Sequence, residues 1–409
     1  MKKSPLNVFA GGKRTGQLAH SDLEEDTILF THHDSATPVD AVSLTMPVRV
    51  DQYDAMGGLL PIFEMNLPEG ALKERLRLQF AKAIPEFDDL DLLAIVGSSQ
   101  IGRLRYSQTQ QLALEVPEQN LDEILTWEGA EDLFAHLLER FASYSGVSGV
   151  QPKVLVREQV DAGIGAIEKL THRGATHIVK SFDGKEYPEL AANEWICTQG
   201  AQAAGIVTAK VRLSANRQFL IVDRFDLTPA GIYLGLEDFC VLDGRRAHGR
   251  YDGSYERITK RIADFVSAKH LAASQEQYAL TVAYACAIEN GDAHLKNFSV
   301  LYDTPEGEVA LAPAYDMVST TPYIARDTLA LTLGGSKRFP ERKQLISFIR
   351  HATGRSDLGA GQLLDQVAAG VSVAIDHAKH YARRYKDAAR FSESLIRSMT
   401  RGVQRLAGS

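Results

Sequence analysis

Short apolar runs bounded by glycine and polar residues occur through the first 235 residues. Runs of this length with glycine-containing turns between them are typical of β-strands. Two of them flank a glycine turn near the start of the chain, and two more flank a short polar turn at 214–217, so each pair predicts a hairpin. The predicted strands lie at 8–12, 16–18, 153–156, 177–182, 207–213 and 218–226.

Apolar residues at three- and four-residue spacing predict helices at 72–80, 132–144 and 188–204, and mainly helical structure after residue 235. The segment 275–289 is apolar nearly all round, which is typical of a buried central helix. Asn290 and Gly291 follow it as a predicted C-terminal stop. The acidic, polar segment 117–131 is predicted to be a connection.

These elements predict an α+β protein with three parts. A small mixed subdomain occupies residues 1–110, an antiparallel sheet carrying one helix occupies 111–232, and a mainly helical lobe occupies 233–409. The length of 409 residues agrees with two or three domains. A cleft between the sheet lobe and the helical lobe is the expected ligand site.

Composition narrows the class of protein. Apolar residues make up 44% and charged residues 24%, as in soluble globular proteins, and the net charge of −7 gives no overall attraction to nucleic acid. The three cysteines are far apart, which excludes a disulfide framework and the usual zinc spacings. The N-terminus has no signal-peptide pattern, and the longest apolar run, at 278–288, is too short to span a membrane. We therefore expect a cytoplasmic protein without membrane contact.

The loop after the predicted central helix carries the candidate chemistry. Asp292 and Asn297 lie five positions apart in it. Strands predicted at 298–302 and 308–311 follow and form a hairpin. Because a hairpin returns the chain to its starting point, we expect Asp316 to lie near Asn297.

Phosphoryl transfer needs the groups that this arrangement supplies. A carboxylate accepts the proton of the incoming hydroxyl, which suits Asp292, while an amide and a second carboxylate hold magnesium, which suits Asn297 and Asp316. Lys180, on a predicted strand, precedes a helix with Glu194, as the phosphate-binding lysine of a protein kinase precedes its helix glutamate. An aspartate and an asparagine at this spacing are frequent in ordinary turns, so the lysine and the returning Asp316 carry the interpretation.

Several segments together resemble HipA-type toxin kinases, in that family's order. The most specific is Asp292-Ala-His-Leu-Lys-Asn-Phe298. The resemblance covers almost the whole chain, because residues 1–105 are similar to the family's N-terminal subdomain. The similar segments are 66–70, 102–104, 148–153, 177–180, 222–226, 291–298 and 312–316.

The resemblance implies a two-lobed, protein-kinase-like fold that binds ATP and Mg²⁺ between its lobes. It implies a bacterial serine/threonine protein kinase, the toxin of a type II toxin–antitoxin pair. Members of the family phosphorylate aminoacyl-tRNA synthetases, which halts translation and growth. A helix-turn-helix antitoxin, HipB-like, neutralises them, and operator DNA is met only within that complex.

The resemblance also implies roles for individual residues. Asp292 becomes the proton acceptor, Asn297 and Asp316 the metal ligands, and Lys180 the phosphate lysine. Asp223 to Phe225 become the hinge beside adenine, although a glutamate is familiar where Asp223 stands. The remaining ATP-binding residues so implied are Ser148, Gly149, Val150, Gln151, Pro152, Lys153, His294, Lys296 and Tyr315.

The family inactivates itself by phosphorylating a serine in the loop that covers ATP. Relatives can carry a serine where this chain has Gly146, which has no hydroxyl. We therefore predict autophosphorylation at Ser148, with Ser145 as the second candidate. A phosphate there would add about −1.5 to −2 charges beside a site for ATP phosphates and oppose nucleotide binding.

Two other functions remain open at this point. A small-molecule kinase on the same scaffold would use the same three side chains, because the chemistry does not reveal the acceptor. A protein that acts mainly as a binding or co-repressor subunit would need none of them. The basic pairs 245–246, 337–338 and 383–384 could contact DNA phosphates in such a complex, or simply face solvent.

Overall fold

The computed structural model describes residues 3–22, 27–55, 57–82, 84, 86–112, 115–129, 132–149, 151–159, 172–182 and 184–408. Among these residues, three sheets follow one another, and they fall in turn within residues 1–110, 111–232 and 233–409.

The first sheet is antiparallel throughout, with the strand order β4-β3-β2-β1-β5. The predicted hairpin is its centre, and Gly11 and Gly12 make the turn with positive φ angles. Three helices cover the sheet and enclose a core of leucine, phenylalanine and valine side chains. The elements are β1 Leu6–Ala10, β2 Lys13–His20, β3 Ile28–His32, β4 Tyr53–Ala55, α1 Pro61–Glu64, α2 Gly70–Phe80, α3 Asp89–Val96 and β5 Leu104–Ser107.

The second sheet has the order β6-β7-β8-β10-β9 and is antiparallel except for the β6–β7 pair. The predicted strands are present, although the two of the second hairpin are shorter than expected. Its elements are β6 Glu118–Gln119, α4 Leu121–Leu125, α5 Leu133–Phe141, β7 Lys153–Glu158, β8 His177–Ser181, α6 Leu190–Ala203, β9 Val211–Leu213 and β10 Phe219–Asp223.

The segment predicted as a plain connection contains a strand and a helix within its described part, 117–129, so that prediction was wrong. Gln119 pairs in parallel with Glu158 of the second sheet, and the Asn120 side chain caps α4. Leu121 and Ile124 of α4 are buried in the core of this lobe. The acidic residues that suggested a loop face solvent beside these few apolar anchors.

The third sheet, β11-β12-β13, lies within the helical lobe. The predicted central helix is α9, and its second half is buried among the surrounding helices and this small sheet. The elements are β11 Gly235–Asp238, α7 Phe239–Leu242, α8 Tyr255–Phe265, α9 Ala268–Ala287, β12 Ser299–Tyr302, β13 Val309–Leu311, α10 Arg342–Thr353, α11 Asp357–Arg384 and α12 Ala389–Ala407.

The end of α9 differs from the prediction. The helix ends at Ala287, and the left-handed residue after it is Glu289, with φ 56°, rather than Gly291. Two arginines of α12 hold this conformation, because Arg405 donates to Glu289 Oε1 at 2.8 Å and Arg401 donates to Oε2 at 2.5 Å. The last helix of the chain therefore fixes the start of the loop that carries Asp292.

The N-terminal subdomain is docked on the other two parts by hydrogen bonds to buried carboxylates. Ser43 Oγ donates to Glu237 at 2.6 Å, and the backbone N–H of Gly102 donates to Asp226 at 2.7 Å. Both carboxylates are nearly inaccessible to solvent. Since a buried acceptor without a donor is costly, these contacts tie the subdomain to the sheet lobe and the helical lobe.

One helix among the described residues, α11, is long and apolar enough to cross a membrane by length and composition. Its apolar side is buried against α6 of the sheet lobe and against α9, α10 and α12, so packing inside the protein accounts for that composition.

Candidate active site in the cleft between the lobes

A cleft of about 200 Å³ separates the sheet lobe from the helical lobe. It brings together residues from β7, β8, β10, the loop after α9 and the loop after β13. Of the residues predicted to bind ATP, metal or acceptor, the cleft is lined by Ser148, Gly149, Gln151, Lys153, Lys180, Asp223, Arg224, Phe225, Asp292, His294, Lys296, Asn297, Tyr315 and Asp316.

Lys180 is the centre of the buried side of this cleft. It lies on β8 in the middle of the second sheet, and only 3% of its surface is exposed. Its Nζ donates to Glu194 Oε1 of α6 at 2.6 Å and also to Asp316 Oδ1. The lysine, the helix glutamate and the returning aspartate therefore meet, although 136 positions separate Lys180 from Asp316.

The charges of this cluster are set by burial and by mutual attraction. Burial alone would lower the pKa of Lys180, but the facing Asp316 and Glu194 outweigh it and raise that pKa. Burial would raise the pKa of Asp316, yet Lys180 and Lys153 lower it to about 2. The pKa of Glu194 is raised by burial against the attraction of Lys180. Of the two carboxylates, Asp316 thus holds its negative charge more firmly.

Asp316 has a left-handed backbone with φ 55°, which is unusual for a residue other than glycine. The β12–β13 hairpin delivers it, and Tyr315 O–H donates to the carbonyl oxygen of Lys296 at 2.7 Å. This bond joins the residue before Asp316 to the residue before Asn297. The predicted return of the hairpin is confirmed, and the left-handed backbone makes Asp316 a candidate functional position.

Asp292 lies at the open end of the cleft. Its backbone N–H donates to Asn290 Oδ1 at 2.9 Å, which fixes the turn. Its Oδ1 accepts a hydrogen bond of 2.8 Å from the hydroxyl of Tyr251, a side chain that is 44% exposed. Among the described residues, no hydrogen bond to its second carboxylate oxygen occurs. No motif links Tyr251 to this loop, so sequence reasoning missed it.

Asn297 and His294 shape the loop between Asp292 and β12. The Asn297 side-chain oxygen accepts from the backbone N–H of His294 at 3.0 Å. His294 is buried, which lowers its pKa and favours the neutral ring, and its ring lies edge-on to Tyr251. Its Nδ1 is buried, and no hydrogen-bond partner for it occurs among the described residues.

Lys296 does not point freely into the cleft. Its Nζ donates to Glu69, a residue of the N-terminal subdomain, and Arg250 donates to the other oxygen of Glu69 at 2.8 Å. Burial would raise the pKa of Glu69, but Lys296 and Arg250 lower it to about 2. Glu69 lies in the segment 66–70 that resembles the family, but sequence reasoning assigned it no role.

The loop before β7 covers the cleft from the sheet side. Lys153 is buried, and its Nζ donates to the carbonyl oxygen of Ser148 at 3.1 Å. Gly149 has φ 117°, and a Cβ on it would overlap Lys153 Nζ. Val150 lies outside the described residues. Pro152 does not line the cleft; its carbonyl oxygen accepts from Ser181 in the sheet.

The three residues of the predicted hinge, Asp223 to Phe225, have different surroundings. Phe225 stacks on Tyr315, with ring centroids 5.6 Å apart, and both rings line the cleft. Asp223 is partly exposed, and its interaction with His177, followed by Arg212, lowers its pKa. The Arg224 guanidinium instead lies buried on Asp226 at 2.5 Å, although the residue also lines the cleft.

The two candidate phosphorylation sites differ in accessibility. Ser148 is partly exposed in the covering loop and lines the cleft. Ser145 is fully buried; its hydroxyl donates to the carbonyl of Phe141 and accepts from the N–H of Leu155. Because those bonds hold Ser145 in the lobe core, it is not an acceptor in this conformation, and Ser148 remains the candidate.

The residues present suit a magnesium ion carried with ATP rather than a metal held by protein alone. Among the described residues, no group of three or more His, Cys, Asp or Glu side chains is arranged to hold a metal. Asn297 and Asp316 supply one amide and one carboxylate in the same cleft. Mg²⁺ in phosphoryl-transfer sites takes one or two such ligands and completes its shell with phosphate and water oxygens.

Family models match most of the chain. The model of the HipA N-terminal domain matches residues 6–107, and that of the HipA-like C-terminal domain matches residues 145–390. The second match alone covers more than half of the 409 residues.

Two relatives come from Sinorhizobium fredii. The protein named "Putative kinase Y4dM" is 28% identical over 238 residues, which cover 54% of this chain and 55% of that relative. The protein named "Putative kinase Y4mE" is 26% identical over 341 residues, 78% of each chain. The match to the first relative thus spans about half of its length.

A solved structure has the same fold. A chain from the Shewanella oneidensis MR-1 toxin–antitoxin complex of HipA, HipB and its operator DNA superposes with a TM-score of 0.67. It is 19% identical, and the match covers 98% of this chain and 97% of that one. The predicted α+β, HipA-like, kinase-like architecture is therefore confirmed.

Proposed function

The chain belongs to the HipA family, and from that premise we propose that it is a HipA-type kinase that transfers the γ-phosphate of ATP to a serine or threonine of a protein. The observation that carries this proposal is the convergence of Lys180, Glu194 and Asp316 at the bottom of the cleft whose open end holds Asp292. Burying a lysine between two carboxylates has a desolvation cost, and such a charge cluster in a cleft is typical of a functional site.

The transfer follows from the placement of these side chains. The free oxygen of Asp292 accepts the proton of the acceptor hydroxyl, whose oxygen bonds to the γ-phosphorus while the bond to the β-bridging oxygen breaks and ADP leaves. Lys180 and Lys153 supply positive charge at the phosphates from the sheet side. Asn297 and Asp316 would hold Mg²⁺, which neutralises phosphate charge when it is bound.

The proposed acceptor is an aminoacyl-tRNA synthetase, so that its phosphorylation inhibits translation and growth. Support for a protein acceptor is the position of Asp292, beside an exposed Tyr251 at the open end of the cleft. Autophosphorylation at Ser148 is the proposed means of self-inactivation, because a phosphate in the covering loop would face Lys153 and displace ATP phosphates.

The proposed partner is a HipB-like helix-turn-helix antitoxin that neutralises the kinase and carries it to operator DNA. The solved complex of HipA with HipB and DNA supports this partner. Arg245 and Arg246 are poor DNA contacts, since Arg245 faces Asp243 and Arg246 donates to the carbonyl of Gly57. Any DNA contact of this chain is therefore left to its other basic surface residues.

The deciding experiment replaces Asp292 by asparagine and follows ³²P transfer from labelled ATP to lysate proteins and to the chain itself. We expect Asp292→Asn to abolish transfer and growth inhibition while the protein stays folded, because the change is nearly isosteric. Asp303→Asn, which removes an exposed carboxylate in the β12–β13 turn, is the matched control and should behave as wild type.

Three results would contradict the proposal in different ways. A toxic Asp292→Asn variant would favour a binding or co-repressor protein. Label that appears on metabolites but on no protein would favour a small-molecule kinase. Mass spectrometry that finds Ser148 unmodified after incubation with ATP would remove autophosphorylation at that site.

A further inference from the structure

We propose that Glu69, a residue of the N-terminal subdomain, is a positioning residue of the phosphoryl-transfer site. This inference rests on the proposed kinase function and adds to it: the subdomain outside the kinase-like lobes completes the active site. The residue acts through Lys296 and Arg250 and does not itself touch the substrate.

The geometry of Glu69 makes it a bridge. It is the residue directly before α2, and each of its carboxylate oxygens accepts from a different cation. Oε1 accepts from Lys296 of the loop after α9, and Oε2 accepts from Arg250 at 2.8 Å. Both cations line the cleft, whereas Glu69 itself stands behind them.

This bridge determines where Lys296 points. The Lys296 side chain is only 7% exposed, and Glu69 is its one side-chain hydrogen-bond partner among the described residues. The loop is held to Arg250 as well, because the N–H of Leu295 donates to the carbonyl oxygen of Arg250 at 3.1 Å. Glu69 thus fixes Lys296 and also Arg250, against which the loop after α9 packs.

The bridge also sets the charge at this end of the cleft. Lys296 and Arg250 together carry two positive charges, and Glu69, with a pKa of about 2, stays ionised and leaves a net charge of one. Without Glu69 the two cations would be free to turn onto the phosphates of bound ATP. Nucleotide would then bind at least as tightly, but in an arrangement less suited to transfer.

Two measurements on the full chain separate positioning from a structural role. The first is the maximal rate of autophosphorylation with Mg·ATP, and the second is the Kd of Mg·AMP-PNP, a non-hydrolysable analogue. We expect Glu69→Gln to lower the rate about 10-fold, because a small misplacement of an active-site charge is costly. The analogue should bind equally well or more tightly.

The matched control is Glu64→Gln in the same subdomain. Glu64 also joins the subdomain to the helical lobe, since it accepts from the N–H of Ala247 at 2.8 Å, but it does not reach the loop after α9. Loss of this contact should leave the rate within about two-fold of wild type. Glu69→Asp, which keeps the charge, should restore part of the rate that Glu69→Gln loses.

The inference is overturned if Glu69→Gln transfers phosphate at the wild-type rate. It is equally overturned if that variant loses rate and analogue affinity together and Glu64→Gln does the same, since both would then report weaker docking of the subdomain. Asp292→Asn distinguishes failure of the proposed kinase function from failure of the positioning role. An active Asp292→Asn variant refutes the proposed kinase function. An inactive Asp292→Asn beside a fully active Glu69→Gln refutes only the positioning role.

Discussion

The two ends of the cleft are built on different physical principles. At the closed end, Lys180 is 3% exposed and is paired with Glu194 and Asp316, all contributed by the two kinase-like lobes. At the open end, Asp292 is held by Tyr251, which is 44% exposed, and Lys296 is held by Glu69 of another subdomain.

The difference determines how a substitution at each end affects stability and activity. Removing one charge from the closed end leaves a buried carboxylate without its partner, which affects folding and activity together. Removing one group from the open end loses a hydrogen bond or an ion pair that water partly replaces, so the loss of stability is smaller there than at the closed end. The following variants test this contrast, from the largest expected effect to the smallest.

Lys180→Met should have the largest effect. It leaves Asp316 and Glu194 without the cation that hydrogen-bonds to both of them, which should destabilise the fold by about 3–5 kcal/mol. Phosphate transfer should fall by roughly 10³-fold or more, as for loss of a cation that stabilises the transferring phosphate. Urea unfolding and ³²P incorporation measure the two effects. Lys185→Met, in the exposed loop after β8, is the control; equal stability of the two variants would contradict the contrast.

Glu69→Gln should lower stability in a pH-dependent way. The pKa of Glu69 is about 2 in the folded protein and 4.5 in an unperturbed glutamate. The stabilisation is therefore fully present above pH 4.5 and is lost as the pH falls toward 2. We expect a deficit of about 1–3 kcal/mol at pH 7 that shrinks below pH 4.5. Urea midpoints of wild type and variant at pH 7, 4 and 3 measure it; a constant deficit would argue against the ion pairs.

Gly149→Ala should weaken nucleotide binding at the closed end. The added Cβ would overlap Lys153 Nζ, and the φ of 117° suits only glycine. We expect a stability loss of about 1 kcal/mol and about 10-fold weaker binding of Mg·AMP-PNP. Gly244→Ala is the control, because Gly244 has a positive φ but open space around its Cβ position. It should lose stability and keep nucleotide affinity; equal affinity in both variants would exclude displacement of Lys153.

Tyr251→Phe should have the smallest effect. It removes the hydrogen bond to Asp292 Oδ1 and keeps the ring against His294. A hydrogen bond of this kind contributes about 0.5–1.5 kcal/mol, so we expect transfer to slow about 2- to 10-fold with unchanged Mg·AMP-PNP affinity. The transfer rate at saturating ATP and the Kd of Mg·AMP-PNP separate an effect on transfer from an effect on nucleotide binding. A faster variant would instead mean that the Tyr251 hydroxyl occupies the place of the acceptor.

Most of what could be predicted from the sequence alone depends on residues that are close together in the chain. Alternating and helical periodicity predicted the principal strands and helices, because each reflects which face of a local element is buried. The loop from Asp292 to Asn297 and the hairpin after it predicted the return of Asp316, since a hairpin is a local structure. Lys180 could be placed beside them because its strand and the following helix form a recognisable pair. The end of α9 was missed, because arginines more than a hundred positions away decide it.

Only the tertiary structure decided which remote side chains complete the site. Glu69 and Lys296 are 227 positions apart, and Tyr251 and Asp292 are 41 apart, with no motif that spans either interval. Arg224 turned inward to Asp226, and Ser145 was buried in the lobe core. An ion pair between distant segments forms only when whole subdomains dock, and docking depends on the summed burial of many surfaces. Local sequence records a residue's own preference, but not which charge will face it after folding.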